Sequence, residues 1–134
     1  MMDSIVMELT TGGRLTTDIT GDAAEFCRGR GDGLLHVFVP HATAGIAIFE
    51  TGAGSEEDLE LILESILPRG ADYLHRHGSP GHGRDHVLPA LVSPSITVPV
   101  SDGRMHLGTW QSIVLVDPNS DNPHRQVRLS FLSG

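Results

Sequence analysis

Leu34-Leu35-His36-Val37-Phe38-Val39, closed by Pro40-His41-Ala42-Thr43-Ala44-Gly45, is the segment on which the fold reading turns. Its nearly continuous apolar run predicts a fully buried strand. The small residues after His41 let a backbone approach a ligand closely and offer amides to an anion, with Thr43 as the polar side chain of that turn. A plain tight turn between two strands accounts for the same residues.

Outward from this segment, strands and turns dominate. Ile46–Phe49 is a second β-branched run. Upstream, Ile5–Leu9 alternates as a strand before the turn Thr11-Gly12-Gly13, and Ile19-Thr20 leads into a short helix over Asp22–Arg28 with an acid in its first turn. Downstream lies the clearest helix. Ser55 is its expected N-cap with Asp58 in a capping box, and Leu59, Ile62, Leu63 and Ile66 form one apolar stripe. Pro68 and Gly70 end it. Residues 69–85 read as a long loop, and Asp85 as the cap of a short helical turn over His86–Leu91. Ile96–Val100 and Met105–Leu107 flank a hairpin turn at Ser101-Asp102-Gly103-Arg104. Trp110–Val116 and Val127–Phe131 close the chain as strands, with Val127, Leu129 and Phe131 on one face.

The 134 residues suit one domain, 1–134, and are too few for a (β/α)8 barrel. Sixteen glycines and eight prolines agree with many short strands. A net charge of −8 argues against a general nucleic-acid surface, and no apolar run reaches membrane-spanning length. No signal peptide is visible at the start, so a cytoplasmic location is expected by default. All nine basic residues are arginines, which removes Schiff-base and P-loop lysine chemistry. The single Cys27 has no internal disulfide partner and reads as a buried structural thiol.

Eight histidines are the compositional anomaly. His75, His77, His82 and His86 cluster in and around the long loop, and His41 ends the buried strand. Imidazoles converging with a carboxylate make a zinc-type site. His82 and His86 would share a helical face only if a helix began before Gly83, which the Gly83-Arg84 pair disfavours. A solvated Gly-rich loop is the competing reading. His36 reads as a packed histidine, and His106 and His124 as surface residues. Glu50, after the second strand, is a candidate general base, metal ligand or histidine orienter. Trp110 with Gln111 reads either as core or as a flat wall with an amide hook in a pocket.

Val39-Pro40-His41-Ala42-Thr43-Ala44, Glu50, Tyr73-Leu74-His75, His86, Ser95–Val100 with Pro99, Asp102-Gly103-Arg104 and Gly108-Thr109-Trp110-Gln111, in this order, resemble the YjbQ family, often labelled secondary thiamine-phosphate synthase. The match runs from Leu34 onward. Departures are Thr51-Gly52-Ala53-Gly54, where the family often has Asn-x-Asp-Pro, and Ser93, where a glycine is common. The resemblance implies an α+β fold with compact, β-sandwich-like mixed sheets and one main helix, assembled as a homotrimer. It also implies one shared site from His41, Glu50, His75, His86, Trp110 and Gln111, favouring His75 and His86 over His77 and His82.

Two functions follow from that resemblance. One is a metal-dependent enzyme of thiamine-phosphate synthase type. There His41, His75 and His86 hold a divalent metal, zinc by expectation. Glu50 and Gln111 act at the reaction centre, and Thr43, Arg84, Arg104 and Trp110 bind a phosphorylated small-molecule substrate, with Arg76 a further cation. The alternative is a non-catalytic module that binds a metal or a small anionic metabolite. An assembly protein whose histidines line a subunit contact is a third reading, disfavoured because contacts need apolar anchors.

Overall fold

Alternation, rather than continuous burial, governs residues 34–39 in the folded chain. In the computed structural model, which describes residues 2–76 and 81–134, Leu35, Val37 and Val39 are buried, whereas Leu34 and Phe38 retain 42% and 37% exposure. His36 also faces outward and meets Thr97, Nδ1 to Oγ1 at 3.1 Å. The expectations of a fully buried strand and of a packed His36 are therefore corrected.

The elements run β1 (Met2–Thr10), β2 (Thr16–Asp18), α1 (Thr20–Cys27), β3 (Gly33–Phe38), β4 (Gly45–Phe49), α2 (Ser55–Ile66), α3 (Leu88–Leu91), β5 (Ser95–Ser101), β6 (Arg104–Met105), β7 (Ser112–Val116) and β8 (His124–Ser133), with a 3-10 turn over Gly83–His86 before α3. They form a five-stranded sheet, β1-β8-β3-β5-β6, and a three-stranded one, β2-β7-β4. Every pairing among the described residues is antiparallel, so the sheets are not mixed.

The main core lies between the sheets. Leu35, Val37, Val98, Val127, Leu129 and Phe131 of the large sheet meet Ile46, Ile113 and Leu115 of the small one, with Ala23, Phe26 and Cys27 of α1 alongside. A second cluster, Leu63, Leu88, Val114 and Val116, packs α2 and α3 on the opposite face of the small sheet. The fully buried strand is therefore β7, whose Ile113, Val114, Leu115 and Val116 all have 0% exposure. It has a layer on each side, and β3 has a layer on one side only.

The other face of the large sheet is laid out in cross-strand rows. Met2 pairs Leu132, Leu132 pairs Leu34 and Leu34 pairs Pro99, making an apolar row across four strands. The next row, Ser4, Ser130, His36 and Thr97, is polar but internally bonded, with the Ser4 and Ser130 hydroxyls 2.6 Å apart.

Two local expectations change. Gly54, at φ 97°, precedes α2, and the Glu56 carboxylate accepts the Gly52 amide at 3.0 and 3.1 Å; Ser55 is not the cap. Of the expected stripe only Leu63 is buried, while Ile62 and Ile66 keep 56% and 55% exposure, because α2 leans on the sheet through Leu59, Leu63 and Leu67. The hairpin turn holds: Asp102 and Gly103 have φ of 50° and 73°, the left-handed pair of a type I′ turn.

Candidate functional site

A 3-10 turn and a loop bring three histidines into contact. His82 precedes the turn and His86 ends it, so no helix begins before Gly83, as the Gly83-Arg84 pair suggested, and the two rings meet across the turn instead of along a shared helical face. Gly83 is required there, since a Cβ on it would meet the Tyr73 side chain at 2.6 Å. The rings of His75 and His86 stack at 4.0 Å between centroids, His82 meets His86 edge-on at 4.6 Å, and His75 lies 5.6 Å from His82. Nε2 of His86 is 2.8 Å from Nε2 of His82. His77 lies outside the described residues.

Asp85 supports this trio from inside the turn and caps no helix. Its side chain is 2% exposed, with Oδ2 3.4 Å from Nδ1 of His82 and Oδ1 facing Nη2 of Arg69 at 3.4 Å and Nε of Arg84 at 3.7 Å. Asp121 Oδ2 stands 3.8 Å from the same His82 Nδ1. Arg84 also donates to Glu64 at 3.0 Å and to the Leu67 carbonyl at 3.1 Å. Arg69, His82, Arg84, Asp85 and Asp117 line a cavity of about 430 Å³. Arg76 is exposed and turned back on the Tyr73 and His75 carbonyls.

Behind Asp117 lies a buried ion pair. Asp117 and Arg125, 1% and 3% exposed, are joined through the guanidinium Nε and Nη2. On its far side a second cavity of about 420 Å³ is lined by Glu8, Leu9, Thr10, His41, His124 and Arg125. His41 sits there, apart from the trio's cavity, its Nε2 accepting the Gln126 amide at 3.0 Å. Burial pushes the His41 pKa below its ordinary value; Arg125 adds to this and Asp117 opposes it. Thr43 is buried at 5% in the following turn, where the Ala44 amide donates to the His41 carbonyl at 3.4 Å.

Glu50, Trp110 and Gln111 occupy the other end of the small sheet. Gly45 pairs Val116 and Phe49 pairs Ser112, so His41 and Asp117 flank one end of the β4–β7 pair and Glu50 and Gln111 the other. Four strand steps, about 13 Å, separate the ends. Gln111 is engaged locally, its Oε1 accepting the Gly108 amide at 2.8 Å, and Trp110 is 72% exposed, so it is not a core tryptophan. Arg104 stands elsewhere, in a cavity with Arg28, Asp102 and Leu107. Within one chain, then, His75 and His86 come together, joined by His82, whereas His41, Arg104 and the Glu50–Trp110–Gln111 end stand apart.

The donors of the trio are of the type that holds zinc. Their spacing as it stands is tight, since two nitrogens on a tetrahedral zinc sit about 3.3 Å apart. Among the described residues, no group of three or more His, Cys, Asp or Glu is arranged to hold a metal ion.

Arg69, Asp85, Asp117, Arg125 and the part played by His82 were missed by sequence reasoning. Only the i, i+4 spacing of His82 and His86 signalled any of it.

Comparison with known proteins agrees with the fold. UPF0047 protein Rv2556c of Mycobacterium tuberculosis is 60% identical over 133 residues, covering 99% of this chain and 100% of that protein. A UPF0047 protein of Archaeoglobus fulgidus is 35% identical over 110 residues, covering 82% of this chain and 86% of that one. Among solved structures, hypothetical protein APE1520 of Aeropyrum pernix superposes with a TM-score of 0.86 at 29% identity over 100% of this chain and 99% of that one. A YbjQ-like protein of unknown function from Sulfolobus solfataricus shares the fold, with a TM-score of 0.88 at 22% identity over 100% of both chains. The family model described as UPF0047 protein YjbQ-like matches residues 5–134, and the chain belongs to that family.

Proposed function

We propose that this protein is a cytoplasmic enzyme acting on a small phosphorylated substrate, with His75, His82, His86 and Asp85 as its working groups and Arg69 and Arg84 balancing substrate charge. The observation that carries this reading is the 2.8 Å contact between two imidazole nitrogens, with a third ring stacked at 4.0 Å. Rings in a solvated loop have no reason to pack this way, whereas proton transfer between nitrogens needs such a distance.

The reaction class comes from the label often given to the YjbQ family, secondary thiamine-phosphate synthase. The bond from the pyrimidine methylene carbon to pyrophosphate oxygen breaks, its electron pair leaving with pyrophosphate, and the thiazole nitrogen forms the new C–N bond. An imidazolium of the trio delivers a proton to the departing oxygen while the two guanidinium groups stabilise its charge.

A homotrimer belongs to this reading. It is supported by the apolar row Met2, Leu132, Leu34 and Pro99, in which Met2, Leu132 and Leu34 are 64%, 49% and 42% exposed, beside a polar row whose Ser4–Ser130 and His36–Thr97 pairs bond to each other. In such an assembly a neighbouring copy can supply Glu50, Trp110, Gln111 and Arg104 to the histidines. Sedimentation equilibrium tests this: a trimer that dissociates in Leu34→Arg supports it, and a monomeric wild type removes it.

A second reading is a divalent metal, zinc by expectation, on His75, His82 and His86. The number and type of the donors favour it, and His82 and His86 would have to separate by about half an ångström. Elemental analysis of purified protein decides: stoichiometric metal lost in His86→Ala supports this reading, and metal-free wild type removes it. The enzyme reading is tested by formation of thiamine phosphate from hydroxymethylpyrimidine diphosphate and hydroxyethylthiazole phosphate. His86→Ala should lose about 100-fold or more in rate. Equal rates in wild type and variant would remove the trio from the chemistry. Binding of both compounds without product leaves a binding module.

A further inference from the structure

A chain of hydroxyl groups braces the end of the small sheet that carries Glu50. Asp18 accepts from the Thr20 amide at 2.9 Å and the Thr20 hydroxyl at 2.6 Å through Oδ1, and from the Thr51 hydroxyl at 3.3 Å through Oδ2. With its hydrogen given to Asp18, Thr51 Oγ1 accepts from Ser112 Oγ at 3.1 Å. Phe49 and Ser112 form the last pair of β4 and β7, so Glu50 and Gln111 stand one step beyond it, each beside a braced residue. The turn that carries Trp110 is closed twice. The Gln111 amide donates to the Gly108 carbonyl at 3.1 Å, and Gln111 Oε1 accepts the Gly108 amide at 2.8 Å.

This fixed backbone presents two uncommitted side chains. The Glu50 carboxylate is half-buried and has no hydrogen bond or ion pair among the described residues. The Trp110 indole is 72% exposed and has no partner among them either. No arginine occurs in residues 15–27, 45–66 or 106–116, which hold β2, β4, β7 and their neighbours, and the chain has no lysine. A carboxylate partly withdrawn from water needs a positive partner, and an indole face attracts positive charge. One flat cation meets both needs, whereas a phosphate group meets neither.

We propose that Glu50 and Trp110 form a subsite for a cationic heteroaromatic ring, a thiazolium or another N-alkylated azolium. The ring stacks on the indole, and its charge is held by the carboxylate. This deepens the coupling reading above and rests on it for the choice of ring, because forming the C–N bond leaves the thiazole nitrogen positively charged. The Asp18–Thr51–Ser112 chain acts through the backbone, keeping the acid and the indole at one end of the sheet.

Trp110 is the only tryptophan, so its indole N–H gives a single resonance in proton–nitrogen spectra of the 15N-labelled protein. Titration with 3-methylthiazolium should move that resonance saturably at millimolar concentration. Neutral thiazole should not. Glu50→Gln keeps the shape and removes the charge, and should weaken binding of the cation by about tenfold. Trp110→Leu, followed by calorimetry, should weaken it by a similar factor. Glu25→Gln removes an exposed acid paired with Arg28 and should leave affinity unchanged. An indole resonance that ignores the cation overturns the proposal. Thiazole binding as tightly as 3-methylthiazolium, or equal affinity in wild type and Glu50→Gln, does the same. The two probes on wild type decide the matter even if a variant does not fold. Saturable binding here with equal rates in the His86→Ala assay removes the trio and keeps the subsite, and the reverse outcome removes only the subsite.

Discussion

Arg125→Met is the perturbation that most directly tests the wall between the two cavities. Asp117 and Arg125 are 1% and 3% exposed. Beyond Arg125, the Asp117 carboxylate has the Asn119 amide at 3.0 Å, and Arg125 itself donates to the His124 carbonyl at 2.9 Å. Removing the guanidinium therefore leaves a buried carboxylate with one neutral donor, a defect that costs about 3–5 kcal/mol. With a urea m-value of about 2 kcal/mol/M, the unfolding midpoint should fall by about 1.5–2.5 M. Asp117→Leu alone should be comparably damaging. The double variant should recover much of the loss, because no unpaired charge remains. Midpoint shifts below about 0.5 M for Arg125→Met, with the two single effects simply adding, would mean that the pair behaves like a solvated surface bridge and that the burial argument fails.

His41 is deprotonated more readily in the folded chain than in the unfolded one. The unfolded state therefore binds more protons, and stability should decline as pH falls through about 6.5, the unfolded histidine value. Urea midpoints across pH should show this slope, and His41→Gln, which keeps an acceptor for the Gln126 amide, should flatten it. Gly45→Ala would put a Cβ 2.1 Å from the Val92 carbonyl oxygen. Backbone must move, so a loss of about 1–3 kcal/mol or more is expected by thermal or urea unfolding. Cys27 is fully buried and its thiol is pushed up by that burial, with Arg30 opposing. Its reaction with a disulfide reagent should therefore be slow and track global unfolding; fast labelling of native protein would contradict this.

Two features that depend on local chemistry were legible in the sequence, although the Ser55 cap was not borne out. Asp102-Gly103 makes the turn that its residues demand, and the alternation of Val127, Leu129 and Phe131 marks the inward face of β8. What depends on the layer above was not. Leu34–Val39 and Ile113–Val116 look alike as apolar runs, yet only the second is covered on both sides. The α2 stripe failed for the same reason, since periodicity marks an apolar face without saying how much of it meets a sheet. In the site, His82 and His86 advertised themselves through spacing. Asp85 looked like a helix cap because its two arginines and its histidine meet it only through folding, and Asp117 pairs Arg125 across a loop of Asx turns that no periodicity marks.

The central strand of the small sheet carries a consequence for handling the protein. Ile113-Val114-Leu115-Val116 is uncharged, largely β-branched and free of proline, the composition of segments that stack into fibrils. Its amides should be the last in the molecule to exchange with deuterated solvent. Once heat frees it, intermolecular pairing competes with refolding, so scans run to high temperature should end in precipitate rather than in a reversible baseline.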